Sequence, residues 1–379
     1  MAYLESEARE LVAAAGRRLK REGLIARTWG NLSARISDTQ FVITPSGMDY
    51  DMIGPDDLVP VRISDCSYEG ERKPSSEKGI HADAYRLRPE VNFVIHTHQD
   101  QASVFGILGK PLETEDNDSV LGRLIPCAEY GLPSTKKLRQ AVAKQLRKEP
   151  EALAVLLRNH GALCMGKDYA EAFLVARELE KACESRKKEL FDGCGQERFG
   201  ELGKSQRKGN RFCLLLNGER RIYDLSTRPE ELPLEAAIHG EIYRNSDVCY
   251  AAGETAPAVT AFCSLGEPLL PYLDDLAQIA GISVRFSGAS PEGVRKALRG
   301  RNAVLVRGRG ALCTGKTADD VTAVRMILRK GCEAGLLARA WNGRNEAGGL
   351  EKCLPLGEAD ARLQRLIYRK KYSKKKDKE

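Results

Sequence analysis

AVLLRNHGALCMGK, residues 154–167, returns as AVLVRGRGALCTGK at residues 303–316, with ten of the fourteen positions identical. Other pairs lie upstream in the same order. PSSEKGIHADAYR at 74–86 aligns with LPLEAAIHGEIYR at 232–244, which sets Glu77 on Glu235, His81 on His239 and Tyr85 on Tyr243. VNFVIHTHQDQASVF at 91–105 then falls on VCYAAGETAPAVTAF at 248–262 after a one-residue deletion. Three ordered matches make the chain a tandem duplication, so two domains of one fold are expected.

Within the first copy, apolar residues recur at helical spacing at Leu4, Ala8, Leu11, Val12, Ala15 and Leu19, and Gly23 follows as a stop. Short β-type segments are expected at 31–36 and 41–44, and a helix from near Ser75 to before Pro89. Next come the strand VNFVIHTH, a helix after Gln99, a loop through Pro133, a helix over 135–147, the strand ALAVLLRNHG and a helix from Tyr169 to about Lys188. Alternating helices and strands indicate an α/β domain. The stretch 193–210 is rich in Gly, Lys, Arg, Glu and Gln and reads as a linker. The expected organisation is a first domain over 1–192, a linker over 193–210, a degenerate copy over 211–350, and a C-terminal segment with a lysine-rich tail over 351–379.

A chain of 379 residues suits two domains. Its composition, 42% hydrophobic and 30% charged without an apolar run of membrane-spanning length, excludes a transmembrane helix. The start has helical spacing and acidic residues rather than a leader pattern, and the protein is expected to be cytoplasmic. Its eleven cysteines form no CxxC pair and sit in apolar segments, as reduced core residues do. The formal charge is +7, but KKYSKKKDKE at the end holds six lysines against Asp377 and Glu379. The remainder carries only +3, which gives no footprint for nucleic acid; the basic tail reads as a solvated segment.

In a strand, residues i and i+2 share a face, so His96 and His98 present two imidazoles to one point while Thr97 faces away. His160, at the exit of another apolar strand, supplies a third nitrogen, and three ligands with one open position are what a catalytic zinc requires. The spacing alone leaves open ordinary hydrogen-bonded histidines at a strand end. The repeat weighs against that. Gly253, Glu254 and Thr255 replace the HTH segment and Arg309 replaces His160, so all three histidines vanish together, as the ligands of one ion would. The second copy is therefore expected to bind no metal there.

WGNLSAR at 29–35, ITPSGMDY at 43–50, PSSE at 74–77, HTH at 96–98 and RNHG at 158–161 together resemble the class II aldolase/adducin family, in that family's order. IPCAEYGLPSTKKL at 125–138 is similar to fuculose-phosphate-type aldolases within it. The resemblance implies a three-layer α/β/α domain with a largely antiparallel central sheet, present here as two tandem copies. It implies zinc, or another divalent metal, on His96, His98 and His160, with Glu77 as acid/base. The substrate's phosphate would be bound by Gly30, Asn31, Ser46, Gly47, Ser75 and Ser76. Ser75 and Ser76 are placed where a helix begins, which suits an anion; Ser75 as a helix cap and TPSG as a plain turn are the structural alternatives. His81, one turn from Glu77, reads as a packed or supporting histidine and is left out of the site.

The activity implied is zinc-dependent cleavage of a ketose 1-phosphate of the fuculose or ribulose type to dihydroxyacetone phosphate and an aldehyde, through a metal-stabilised enediolate. The alternatives are a sugar-phosphate epimerase, whose relatives tend to carry Asp in place of Glu77, a dehydratase acting on a thio-sugar phosphate, or a non-catalytic adducin-like scaffold. Fuculose-type relatives also place a Tyr from a neighbouring subunit in the segment that corresponds to 106–129, which has none here. Family architecture, with active sites between subunits of a fourfold ring, implies a homo-oligomer, here two two-domain chains imitating a tetramer.

Overall fold

The chain opens on a helix that buries Ala8, Val12, Ala15 and Leu19 along one face (α1, Glu5–Arg21), with acidic residues in its first turn and basic ones in its last. In the computed structural model, which describes residues 2–25, 28–114, 120–190, 199–345 and 351–371, the chain divides into two compact units, Met1–Glu189 and Leu190–Glu379.

The first unit continues through β1 (Asn31–Arg35), β2 (Gln40–Ile43), β3 (Val59–Arg62), α2 (Lys78–Leu87), β4 (Phe93–Thr97), α3 (Asp100–Gly106) and three two-residue strands: β5 (Leu112–Glu113), β6 (Leu124–Ile125) and β7 (Cys127–Ala128). It ends with α4 (Lys136–Lys148), β8 (Ala154–Leu157), β9 (Gly161–Gly166) and α5 (Tyr169–Leu190). One sheet of order β3-β2-β1-β4-β9-β8-β7 runs through it, antiparallel throughout except that β7 and β8 are parallel. Phe41, Val61, Val94, Val155 and Leu163 from the sheet pack with Ile80, Tyr85, Leu138 and Val142 from α2 and α4, all removed from water.

The second unit repeats this plan. It contains β10 (Lys204–Lys208), β11 (Arg211–Leu216), β12 (Glu219–Asp224), α6 (Leu234–Arg244), β13 (Tyr250–Glu254), α7 (Pro257–Ser264), α8 (Asp274–Ile279), β14 (Arg285–Ser287), α9 (Pro291–Leu298), β15 (Ala303–Val306), β16 (Gly310–Gly315), α10 (Ala318–Asn345) and α11 (Glu358–Lys371). Its sheet has order β12-β11-β10-β13-β16-β15-β14, again with one parallel pair, β14 and β15. Register confirms the alignment: His96 stands opposite Leu163 in one sheet as Gly253 stands opposite Leu312 in the other. The fold is thus mixed α/β with two largely antiparallel sheets, one per copy.

The turn between β8 and β9 explains the opening repeat. Asn159 holds a left-handed φ of 61°, and Gly308 takes φ 66° at the equivalent place. A Cβ on Gly161 would lie 2.1 Å from the Thr97 carbonyl oxygen, so only glycine lets β9 pass the end of β4; Gly310 meets the Glu254 carbonyl at 2.4 Å in the same way.

Several sequence expectations need correction. The helix expected from near Ser75 begins at Lys78, and Ser75 makes no cap on it. The loop expected between α3 and α4 carries β5, β6 and β7. The stretch read as a linker over 193–210 lies partly outside the described residues, at 193–198, and its later part is β10, paired on both sides. The C-terminal segment from 351 includes α11, where Gln364 bonds Asp274 and Gln278 of α8; the lysine-rich tail from 372 lies outside the described residues. The second copy also shortens the first. β11 turns directly into β12 at Asn217 and Gly218, whereas 44–58 separate β2 from β3, so the segment that holds Ser46 and Gly47 has no counterpart.

Candidate metal centre

β4 runs down the middle of the first sheet and ends at Thr97, so His96 lies on the strand and His98 just past it. Thr97 faces the opposite side, where its hydroxyl donates to Gln99, which in turn donates to the Ala176 carbonyl of α5. His160 closes the β8–β9 turn beside them. The three imidazole rings gather with centroids 5.0 Å apart for His96 and His98, 5.0 Å for His96 and His160, and 4.5 Å for His98 and His160.

Glu77 joins this group from the turn before α2. One carboxylate oxygen stands 3.1 Å from His96 Nε2 and the other 3.3 Å from His160 Nε2. Ligand atoms of Glu77, His96, His98 and His160 all lie within 4.8 Å of one another. His96 Nδ1 lies 2.9 Å from the Ala162 carbonyl and donates its proton there, which leaves the lone pair on Nε2 directed at the cluster. Three imidazoles and a carboxylate at this separation are a donor set for a divalent ion of the zinc kind. Burial alone would raise the Glu77 carboxyl, but the His96 and His160 imidazoles against it outweigh burial and hold it well below the usual carboxylate range.

A buried hydrogen-bond chain supports Glu77. The Tyr85 hydroxyl and the Ser33 hydroxyl lie 2.7 Å apart, Ser33 Oγ is 2.7 Å from His81 Nδ1, and His81 Nε2 is 2.5 Å from Asn31 Oδ1. The Asn31 amide then donates to Glu77 Oε2 at 3.3 Å. Burial pushes the His81 imidazole down to about 3, so it is neutral and has one proton to give, the one directed at Asn31. His81, which spacing alone left outside the site, therefore acts on it through Asn31; the signal available in sequence was its retention beside Tyr85 in both copies.

The segments expected to bind phosphate meet in two places. Pro45 and Pro74 form an isolated bridge, Ser46 N donates to Lys73 O, and Ser75 N donates to Thr44 O, so the turns at 44–47 and 73–76 are joined. Ser75 Oγ accepts from Glu77 N at 3.3 Å, while the exposed Ser76 hydroxyl accepts from Ser134 at 2.8 Å. Gly47 has a φ of 71°. Gly30 sits on the other side, with room for no Cβ because the His96 carbonyl would lie 2.5 Å from it. Asn31 is buried with its side chain engaged by His81 and Glu77.

The second copy keeps the support and replaces the centre. Ser205, His239 and Tyr243 repeat the buried triad at 2.5 and 2.6 Å, with His239 Nε2 turned to the Leu202 carbonyl. Arg309, at the place of His160, sets its guanidinium 2.6 Å from Glu235, the counterpart of Glu77. Glu254, at the place of Thr97, faces the other way and is paired with Arg325 and Arg329 of α10.

The chain is 35% identical over 174 residues to a 5-deoxy-D-ribulose 1-phosphate aldolase of Bacillus thuringiensis serovar kurstaki, a match covering 45% of this chain and 80% of that protein. It is 32% identical over 182 residues to a methylthioribulose-1-phosphate dehydratase of Enterobacter sp. (strain 638), covering 45% of this chain and 89% of the relative. Among solved structures it is similar to an L-fuculose 1-phosphate aldolase, with 32% identity, 47% of this chain and 84% of that chain covered, and a TM-score of 0.44. The class II aldolase and adducin N-terminal domain family matches residues 10–186 and again 208–336, and the chain belongs to that family, twice over.

Proposed function

We propose that the first unit is a zinc-dependent aldolase that cleaves a ketose 1-phosphate of the fuculose or ribulose type into dihydroxyacetone phosphate and an aldehyde. The observation that carries this reading is the convergence of His96, His98, His160 and Glu77 within 4.8 Å in a family whose relatives are named as sugar-phosphate aldolases. The ion would be held by His96, His98 and His160, and it supplies Lewis acidity that stabilises the negative charge left when a carbon–carbon bond breaks. Glu77 is the acid/base: a buried carboxylate held ionised, it is suited to take a proton from a substrate hydroxyl and return it. Asn31 and His81 fix the carboxylate's orientation. Gly30, Asn31, Ser46, Gly47, Ser75 and Ser76 form the phosphate cradle, with the joined turns at 44–47 and 73–76 supplying hydroxyls and Asn31 acting mainly through Glu77.

The identity to a dehydratase keeps a second reaction of the same site in view, loss of water from a thio-sugar phosphate. One experiment separates them. Metal content is measured on the wild type and on His96→Ala, and the metal-loaded protein is assayed on fuculose 1-phosphate, ribulose 1-phosphate and methylthioribulose 1-phosphate. About one zinc per chain, lost in the variant, with dihydroxyacetone phosphate released from either of the first two sugars, is the expected result. A dehydrated ketone from the third substrate alone would replace aldolase by dehydratase, and failure to retain metal would remove both.

A further inference from the structure

The second unit has a cavity of about 670 Å3 at the end of its sheet opposite Arg309, where β16 runs out into Lys316 and β13 begins after Val248. Six cationic side chains line it: Arg295, Arg299, Arg301, Lys316, Arg365 and Arg369, against only Asp247 and Asp320. Lys316 is paired with Asp247 at 2.8 Å and Arg295 with Glu241 at 2.9 Å. Among the described residues the hydrogen bonds of Arg301 and Arg365 all end on neutral oxygens, those of Ser283 and Arg299 for the first and of Gln278, Ile279, Gly300 and Asn302 for the second.

Part of this cationic set serves the fold. α6, α8 and α9 all end at the cavity, and Arg365 donates to carbonyls at the end of α8, as cations near helix C-termini do. Those bonds satisfy donors without cancelling charge, and with Glu241 counted beside Asp247 and Asp320 the six cations keep a surplus of three. The surplus is felt locally: burial, then the charges of Arg369 and Arg301, push the Arg365 guanidinium down to about 10. The fold does not demand such a lining. In the first unit the hollow at the same sheet end, beside Lys167 and Asn92, sets Arg35 and Lys167 against Asp38, Glu90 and Asp168.

We propose that this cavity is a binding site for a nucleotide-sized organic phosphate. Its volume lies within the range of small-molecule sites, guanidinium groups match phosphate oxygens in pairs, and Ile242, Leu298 and Tyr368 give the wall an apolar and aromatic part for a base or similar ring. A ligand with two or more negative charges offsets most of that surplus.

The test is calorimetric titration of the full chain with ADP and, separately, with pyrophosphate, in a Ser76→Asp background so that the phosphate turns of the first unit do not contribute. Arg299 is exposed, so Arg299→Gln leaves the fold unstrained, and Arg301→Gln is the second variant with its melting temperature measured alongside. One ADP per chain, bound at least tenfold more weakly by Arg299→Gln at unchanged melting temperature and less tightly matched by pyrophosphate, is expected. No heat with millimolar ADP, or ADP affinity unaltered in both variants, overturns the site. Pyrophosphate binding as tightly as ADP overturns the organic part of the ligand.

Discussion

At the scale of single residues, the two copies share one electrostatic requirement and meet it differently. A carboxylate at the position of Glu77 or Glu235 is removed from most of the solvent and needs positive charge beside it. In the first copy the partners are histidines arranged to hold a cation; in the second it is the Arg309 guanidinium. This accounts for a carboxylate at Glu235 although Gly253, Thr255 and Arg309 stand where the first copy has its three clustered histidines. Removing Arg309 leaves Glu235 without a counter-charge, and because the pair keeps some exposure the expected cost of Arg309→Ala is about 1–2 kcal/mol. The double variant Glu235→Ala/Arg309→Ala should cost less than the two single changes summed, measured by urea denaturation as a double-mutant cycle. Strict additivity would mean the pair contributes nothing. For Glu77 the expected signature differs: Glu77→Gln keeps bound zinc but lowers kcat by roughly 10²–10⁴-fold. A variant that retains full turnover would move the proton transfer to another group.

Among elements, what sequence could reveal depended on periodicity. β4 was legible because His96 and His98 alternate with Thr97 in an apolar run, and α1 because its buried positions recur at helical spacing. β3 was not, since Pro60 sits in an edge strand where a missing donor costs little. β10 was hidden for another reason. Its sequence KSQRK is polar although the strand is central, because its inward residue is Ser205, held by His239 and Tyr243 rather than by apolar packing. The Arg309–Glu235 contact joins residues far apart in the chain, and no spacing announces it. The buried triads have a consequence for pH. Burial pushes His239 down to about 4, below the 6.5 of a free imidazole, so the unfolded chain takes up a proton before the folded one. The contribution is fully present above pH 6.5 and is lost as pH falls towards 4, by at most about 1.4 kcal/mol per pH unit. Denaturation midpoints of the full chain at pH 7.5 and pH 5 should therefore differ by less in His239→Gln than in the wild type. Equal slopes would show that burial does not lower the His239 imidazole in the fold.

For the whole molecule, the question is why a chain would keep a second copy whose centre is an ion pair. The second sheet keeps the strand order of the first, with its parallel edge pair, while it has no counterpart of the segment carrying Ser46 and Gly47 and none of the three clustered histidines. The scaffold is thus repeated without the histidine cluster, which is the pattern expected if the second copy is needed for its surface. The resemblance to fuculose-phosphate-type aldolases implies active sites between subunits, and the first copy lacks the Tyr that a neighbour would contribute in those relatives. Both points are met by a ring of four units made from two chains, in which each second unit borders a first unit of its partner. The expected mass by multi-angle light scattering is twice the 41.8 kDa of one chain, and turnover per chain should fall on dilution as the ring separates. A monomer with undiminished activity would remove the ring and leave the first unit's site complete within one chain.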